Sequence, residues 1–523
     1  MSGHQIAAEA AAAVIDDQLI VQVRQSETSQ QLATAVRQLS KAIVQHLLSA
    51  AATAVTADAA AADTTNDGQS VVVEAFRAIT AKAVPNEPDY RTAAATTHSK
   101  TAASKALIVF DNIRQLLIKV DGQRLPLDRQ VITELLFMIV AHWSPSGGGR
   151  REWSSPEVYQ NKCKCLELVL KITETKTVGD LLNRKYNLSL VRSLLAKLKT
   201  NVAADGDNEW LSVASNSLIF EWIVHNIDRI DATNYLYDIF PLTVQLLDDH
   251  LIPNKIIGCK CLQQLLTTTT TNHCCWPDLR SNGSDLLIVD RLKRLLYYKE
   301  AELMEIVLQL IINVMLKTSD DYSVSPKQQD IIVGGGGGKH QELTAMSRND
   351  EFCCQVLNNL LISSDRNYRI IHLKFLDQFF PMVNSLAIKY TKTYINLLLN
   401  LIDDQSSSLS SSVGVKNYRL IEVTINSLNI FVGCVWPTIH EFIDRCLLSL
   451  VKLSVNAMTT TTAAADSDLT ADFRHKLRQQ ICESISLLKS VDKTDRFKQL
   501  SERLIQSQYK HMLNESILTA MCC

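Results

Sequence analysis

The chain has 523 residues, of which 46% are hydrophobic and 21% are charged, so it can bury a large core and is too long for one compact domain. Its formal net charge of −2 gives no electrostatic reason to expect nucleic acid or an anionic membrane as a direct partner. Glycine (17) and proline (11) are scarce, which disfavours a β-rich chain that needs many tight turns and favours helices.

The first residues, MSGHQIAAEAAAAVIDDQL, do not have the pattern of a signal peptide. They lack a basic start, and Glu9, Asp16 and Asp17 interrupt the apolar run. No stretch of 18 or more apolar residues without a charge follows. The 13 cysteines are odd in number, which argues against a complete disulfide framework and is typical of a reducing compartment. The sequence therefore predicts an intracellular protein without a membrane span.

Apolar residues recur at helical spacing in one segment after another, whereas convincing alternating strands are absent. Three such stripes are Val109, Ile113, Leu116 and Leu117; Tyr394, Leu397, Leu398 and Leu401; and Ile443, Cys446, Leu447 and Leu450. Segments of about 12 to 20 residues joined by short polar breaks are typical of antiparallel helix pairs. The chain is therefore predicted to be all-α.

Composition divides the chain into four predicted parts. Residues 1–100 are rich in alanine and predict a loosely packed or partly disordered helical region. Residues 101–317 and 343–523 predict two sets of helical repeats, and the glycine-rich stretch 318–342 predicts a flexible linker between them. The threonine tract 267–271 is interpreted as a loop expansion.

Similar short sequences recur along the chain, which favours a repeat architecture. LLDD at 246–249 resembles LIDD at 401–404, and both lie at the expected end of an apolar helix. Tyr368 and Tyr418 occupy matching positions in NYRI and NYRL and are 50 residues apart, close to the ~40–47-residue period of HEAT-type hairpins. We predict an irregular HEAT/armadillo-like α-solenoid of stacked antiparallel helix pairs, whose extended surface suits protein binding.

Candidate chemical motifs do not pass simple geometric tests. Cys259 and Cys261 lie about 200° apart around a helix axis, so they cannot share one metal and are expected as core and semi-exposed residues. The glycine run before Lys339 lacks the residues of a phosphate-binding loop, because Val333 and His340 stand where glycine and serine or threonine are needed. We predict no catalytic, cofactor-binding or metal site and no enzyme.

The stretch 245–266 predicts a corner between two helices. Asp248 and Asp249 follow one predicted helix and precede the next, where acids can accept hydrogen bonds from free N–H groups and suit the positive end of the helix dipole. Lys255 is expected to reach an acid in a loop of its own or a neighbouring hairpin. Gly258, inside the second helix, predicts the close approach of a neighbouring helix.

The stretch 234–315 also carries a spaced set of residues: an apolar helix with P-x-x-x-x-L-L-D-D, a lysine, G-x-x-x-L, and a second polar-Gly-x-x-x-L before a tyrosine-rich turn. The positions are Pro241, Leu246, Leu247, Asp248, Asp249, Lys255, Gly258, Leu262, Gly283, Leu287 and Tyr297. This set resembles the core signature of the Tti-two family, the smaller Tel-two-interacting subunit of the Triple-T co-chaperone complex. Asn254 departs from the family pattern, which has tyrosine or arginine before the lysine.

The resemblance implies a non-enzymatic helical scaffold with a cytoplasmic and nuclear location. It implies the larger Tti subunit and the Tel-two subunit as partners, with Hsp90 and its adaptor complex as indirect ones. Through them the family supports the folding, assembly and stability of PI3K-related kinases of the mTOR, ATM and ATR class, and so TOR signalling and the DNA damage response.

Two sets of residues are candidates for partner contact. Asp248, Asp249, Lys255 and Gly258 are expected to shape the hairpin, with direct partner contact as the alternative. Trp276, Tyr298 and Trp436 are large residues near turns and could anchor an interface, with core packing as the other interpretation. A nuclear-transport adaptor or a phosphatase scaffold of HEAT type would share the architecture, and an enzyme would need His, Asp or Glu residues that converge in space.

Overall fold

The structure is a computed structural model of the chain. It describes residues 17–56, 65–85, 95–125, 127–143, 153–182, 188–200, 210–227, 235–266, 283–320, 337–408, 418–459, 468–506 and 515–522. Within these ranges the regular secondary structure is helical and contains no strand. The all-α prediction is therefore confirmed. The chain divides into two compact units, Met1–Gly283 and Ser284–Cys523.

The first unit is built from two layers of helices. Its helices are α1 (Asp17–Gln25), α2 (Ser29–Thr56), α3 (Thr65–Ala81), α4 (Ala95–Gly122), α5 (Arg129–Ala141), α6 (Pro156–Ile172), α7 (Leu188–Thr200), α8 (Ala214–Asn226), α9 (Leu236–Asp248) and α10 (Ile252–Leu266). Helices α2, α4 and α6 pack side by side in one layer, and α1, α3 and α5 pack in the other. Helix α5 also packs against α7 and α8, and α10 packs against both α8 and α9.

The second unit repeats this arrangement more regularly. Its helices are α11 (Ser284–Leu295), α12 (Ala301–Asp320), α13 (Gly337–Ile362), α14 (Arg366–Met382), α15 (Asn384–Ser408), α16 (Tyr418–Cys434), α17 (Ile443–Thr459), α18 (Asp468–Val491), α19 (Arg496–Gln506) and α20 (Glu515–Cys522). Helices α12, α14, α16, α18 and α20 form one layer, and α13, α15, α17 and α19 form the other. Each layer consists of every second helix, which is the packing of HEAT and armadillo repeats.

The repeat length is visible in side-chain contacts between successive helices of a layer. In the first unit Lys171 forms a salt bridge with Asp121 at 2.6 Å, 50 residues away in the sequence. In the second unit Lys452 forms one with Asp403 at 3.3 Å, 49 residues away. A separation near 50 residues therefore corresponds to one helix pair, as the NYRI and NYRL motifs predicted.

The three predicted apolar stripes lie in the core. All their members are buried: Val109, Ile113, Leu116 and Leu117 on α4; Tyr394, Leu397, Leu398 and Leu401 on α15; and Ile443, Cys446, Leu447 and Leu450 on α17. Side-chain caps also define several helix starts. Ser155 accepts a hydrogen bond from the Val158 N–H at the start of α6, and Asp365 accepts one from the Tyr368 N–H at the start of α14.

One buried carboxylate connects three helices of the first unit. Glu134 on α5 is 4% exposed and accepts a hydrogen bond from Lys197 Nζ on α7 at 2.5 Å. Arg77 Nε and the Thr80 hydroxyl, both on α3, donate to the same carboxylate at 3.3 Å each. These donors replace the water that the charged group loses on burial, so the cluster fixes the relative positions of the three helices.

One boundary prediction is wrong. LIDD at 401–404 does not end a helix, because α15 continues through Asp403 and Asp404 to Ser408. Asp403 is retained inside the helix because it accepts hydrogen bonds from Lys452 and Ser449 of α17. By contrast, LLDD does end α9, at Asp248.

The division into four sequence segments stays a prediction. Helices α1 to α3 occupy much of the alanine-rich region 1–100. Helix α12 reaches Asp320 and α13 begins at Gly337, so both ends of the expected linker 318–342 are helical. Residues 321–336 and the threonine tract lie outside the described residues. Among the described helices, none is long and apolar enough to cross a membrane.

Candidate functional site

The turn between α9 and α10 is organised by Asp249, whose side chain is 5% exposed. Its carboxylate accepts hydrogen bonds from the backbone N–H of Leu251 at 3.1 Å and from the side-chain amide of Asn254 at 2.5 Å. Leu251 immediately precedes α10, so Asp249 contacts the start of that helix as its place in the sequence indicated. Its neighbour Asp248 is exposed at the end of α9.

Lys255 lies in the first turn of α10 and is 4% exposed. Its Nζ donates a hydrogen bond of 2.9 Å to the backbone carbonyl of Leu247. The sequence predicted an acid as the partner, whereas this bond goes to a carbonyl in the last turn of α9. Carbonyls in that turn lack partners within the helix and carry the negative end of its dipole, which suits an ammonium group. Lys255 thus joins the end of one helix to the start of the next.

Gly258 marks the closest approach of α9 and α10. A Cβ atom added there would lie 2.9 Å from the Leu246 Cβ and 3.1 Å from the Leu247 backbone nitrogen. Both distances are shorter than ordinary van der Waals contacts, so only glycine fits without displacement of a neighbour. The predicted close helix contact therefore exists, and its other half is the Leu-Leu pair of the same motif.

Two further motif residues have backbone roles. Pro241 is an exposed residue inside α9, where its missing N–H leaves the Tyr237 carbonyl without the usual helical bond. Gly283 precedes α11 with φ of +74°, in the left-handed region that glycine adopts at low cost. The second glycine of the motif therefore fits a turn rather than a helix contact.

The candidate aromatic anchors occupy different environments. Trp436 is 46% exposed, and the Lys493 Nζ lies 4.2 Å from the centre of its ring, so it is not a core residue. Tyr298 is half-buried and its carbonyl accepts a hydrogen bond of 3.2 Å from the Tyr368 hydroxyl. Tyr297 is 72% exposed. Trp276 lies outside the described residues. Contact of any of these with a partner stays a prediction.

The cysteine pair of α10 differs from its prediction, since Cys259 and Cys261 are both buried. The reason is that α8 and α9 both pack on α10 and cover more than one of its faces. Burial raises the pKa of the Cys259 thiol to about 12 and that of the Cys261 thiol well above its usual value, so both stay protonated. Among the described residues, no cluster of three or more His, Cys, Asp or Glu side chains could hold a metal.

The sequence did not predict a cleft in the second unit. It has a volume of 440 Å³ and lies between α12 and α14, with Arg419 of α16 at its edge. No motif marks this cleft, because it depends on which faces of α12 and α14 lie next to each other. The same faces show only ordinary helical spacing in the sequence.

Comparison with known sequences supports the resemblance. Residues 151–404 match the family model described as the Tti2 family. Two curated relatives, both named TELO2-interacting protein 2, come from Rattus norvegicus and Mus musculus. Each is 20% identical over 330 residues, which cover 61% of this chain and 58% of the relative. The chain thus matches less than two thirds of the length of these relatives.

Comparison with solved structures gives helical proteins at low similarity. A chain from the structure of Kap95p bound to RanGDP has a TM-score of 0.44 and 12% identity, covering 98% of this chain and 62% of that one. The SYS-1 crystal structure has a TM-score of 0.33 and 10% identity, with 100% and 98% covered. The assignment of the fold rests on the two-layer helix packing itself.

Proposed function

We propose, from the match of residues 151–404 to the Tti2 family, that this chain is a non-enzymatic scaffold subunit of a Triple-T co-chaperone complex. The main support for the proposal is that the matched residues include the spaced motif, and that the motif residues lie together at one hairpin of the structure. Pro241, Asp248, Asp249, Lys255 and Gly258 lie in the α9–α10 hairpin, and Gly283 lies in the turn before α11.

The architecture is compatible with a scaffold. Helical repeats expose long surfaces on both layers, and such surfaces bind other proteins without the need for a catalytic pocket. The curated relatives are named for interaction with TELO2, so a Tel-two subunit is the first partner that we propose. The larger Tti subunit is the second, with the chain in the cytoplasm and the nucleus.

The finer proposal concerns the clients of the complex. Through its partners the chain supports the Hsp90-dependent folding and assembly of PI3K-related kinases of the mTOR, ATM and ATR class. Rapid depletion of the chain should then lower the steady-state protein levels of several of these kinases together, while their messenger RNA levels stay constant. Quantitative immunoblots and transcript counts from the same cells would measure both.

The control for this experiment is re-expression of the wild-type chain, which should restore the kinase levels. Kinase levels that persist after efficient depletion would contradict the client proposal. A fall in imported cargo or in phosphatase assembly, with constant kinases, would instead favour the alternative of a nuclear-transport adaptor or a phosphatase scaffold.

A further inference from the structure

The carboxylate of Asp377 on α14 is directed at α16, the next helix of its layer. Its Oδ2 accepts a hydrogen bond of 3.3 Å from the side-chain amide of Asn426, 49 residues away in the sequence. Asp403 and Lys452 have the same separation on α15 and α17, and there the second residue is a lysine that forms a salt bridge. Asp377 thus has a neutral amide where Asp403 has an ammonium group.

The other carboxylate oxygen of Asp377 belongs to a buried polar cluster. The Asp377 Oδ1, the Tyr394 hydroxyl on α15 and the Ser427 hydroxyl on α16 are buried, and none forms a hydrogen bond of normal geometry with a described group. Ser427 adjoins both of the others, and its hydroxyl partly offsets the effect of burial on the pKa of each. We call Asp377, Tyr394, Asn426 and Ser427 the Asp377 cluster, which joins three helices.

The Asp377 cluster lies beside tightly packed aromatic rings. The ring centres of Tyr394 and Phe431 are 4.8 Å apart, and both pack against the buried ring of Phe380. Such surroundings disfavour a charged carboxylate, and the neutral donors Asn426 and Ser427 offset this only in part. Desolvation therefore raises the pKa of Asp377 from 3.8 to about 6.

The other titratable groups near the Asp377 cluster stay neutral. Burial raises the pKa of Tyr394 well above its usual value, and it also raises the pKa of Cys353, a thiol of α13 that lies beside Tyr394. Among the described residues, no lysine, arginine or histidine forms a salt bridge with Asp377. Asp377 is therefore the group of this cluster whose charge changes between pH 7.5 and 5.

The nearby charged side chains of α12, α14 and α16 belong to a different place. They line the cleft between α12 and α14, to which Asp377 does not contribute, and they are Glu302, Glu305, Lys374 and Arg419.

We propose that the Asp377 cluster is a proton-sensitive joint of the second unit, in which uptake of one proton by Asp377 strengthens the contact of α14 with α16. The proton removes a partly buried charge that no cation balances. A protonated Oδ1 can also donate a hydrogen bond to the hydroxyl oxygen of Tyr394 or Ser427. Because the folded chain holds this proton more tightly than the unfolded chain does, the joint becomes firmer as the pH falls through about 6.

The first test uses Asp377→Asn, which keeps the shape of the side chain and cannot ionise. Hydrogen exchange of the α16 amides is measured in the full-length wild-type and variant chains at each pH, because α16 has the same sequence in both. The buried histidines affect both chains alike, so the ratio of the two exchange rates isolates Asp377. We expect the ratio of variant to wild type to rise about tenfold from pH 7.5 to pH 5.

The second test supplies the missing cation. Asn426→Lys copies the pairing of Asp403 with Lys452 and should hold Asp377 ionised, so that exchange of the α14 amides, relative to wild type, also rises at least about tenfold over this range. The matched control is Gln499→Lys on α19, which adds an exposed charge elsewhere and should leave the ratio constant. A constant ratio for Asp377→Asn, or a pH dependence like that of wild type in Asn426→Lys, would overturn the inference and leave the scaffold proposal untouched.

Discussion

Replacement of Gly258 by arginine should lower the free energy of unfolding of the first unit by about 3–5 kcal/mol. An added Cβ would already lie 2.9 Å from the Leu246 Cβ, and a long charged side chain would have to enter the contact between α9 and α10. The surrounding helix is buried, so the guanidinium would also lose its hydration. Denaturant unfolding of the purified variant measures this loss.

The smaller substitution Gly258→Ala distinguishes the steric effect of the close helix contact from the effect of helix propensity on stability. Alanine favours a helix over glycine by about 1 kcal/mol, so propensity alone predicts stabilisation. The matched control is Gly433→Ala on α16, where an added Cβ would meet no atom within 4 Å. We expect Gly433→Ala to stabilise the chain and Gly258→Ala to destabilise it. Stabilisation by both would show that α9 and α10 are not in close contact at Gly258.

Acidification should destabilise the chain through two buried histidines. His142 is 1% exposed and His372 is 0% exposed, and burial lowers the pKa of each from 6.5 to about 4. Each donates one ring N–H to a backbone carbonyl at 2.8 Å, in His142 to Ala83 and in His372 to Tyr368. The neutral ring is therefore the form that the folded chain holds.

The direction of the pH effect on stability follows from the number of protons that the folded and the unfolded chain bind. Between pH 6.5 and about 4 the unfolded chain binds a proton at each site that the folded chain does not, so stability is complete above this window and falls with pH inside it. We expect a loss of about 2 kcal/mol per histidine from about pH 7.5 to about pH 5. Asp377, which is partly buried, acts in the opposite sense, because desolvation raises its pKa from 3.8 to about 6. Between these two pH values the folded chain binds a proton at Asp377 more readily than the unfolded chain does, so this group adds stability as the pH falls.

The variants for this experiment keep the hydrogen bonds and remove the titration. His142→Gln retains a donor near the Nε2 position, and His372→Asn retains one near the Nδ1 position. Denaturant unfolding across this pH range should show a flatter dependence for the double variant than for wild type. His475→Gln, which replaces an exposed imidazole, should behave as wild type. If stability depended on pH equally steeply in the double variant and in wild type, His142 and His372 would not be the source of the acid destabilisation.

Helix positions follow from the sequence because each apolar stripe is a local property. Ile113, Tyr394 and Cys446 are buried as their spacing predicted, since a helix side that repeats apolar residues must face a neighbour. The repeat length of about 50 residues was also visible in the paired NYRI and NYRL motifs. The continuation of α15 beyond Asp404 could not be predicted from the sequence, because the hydrogen bonds to the Asp403 carboxylate come from Ser449 and Lys452 on α17.

The candidate site was predictable only in part. Gly258 predicts a close contact because glycine destabilises a helix interior, a loss that close packing of a second helix offsets. The hydrogen bond from Lys255 to a carbonyl and the burial of Cys261 depend on how α8 and α9 surround α10, which helical spacing does not specify. The cleft between α12 and α14 is the extreme case, because lining residues such as Leu308 and Phe375 come together only through the packing of helices that are far apart in the sequence.

Membership of a Triple-T complex is tested by quantitative mass spectrometry of the proteins that copurify with the tagged chain. We expect a larger Tti subunit and a Tel-two subunit in near-equal amounts with the chain, and neither with an unrelated helical-repeat protein purified in parallel. Import cargo, phosphatase subunits or no stoichiometric partner would contradict the assignment to a Triple-T complex and leave only the helical-repeat fold.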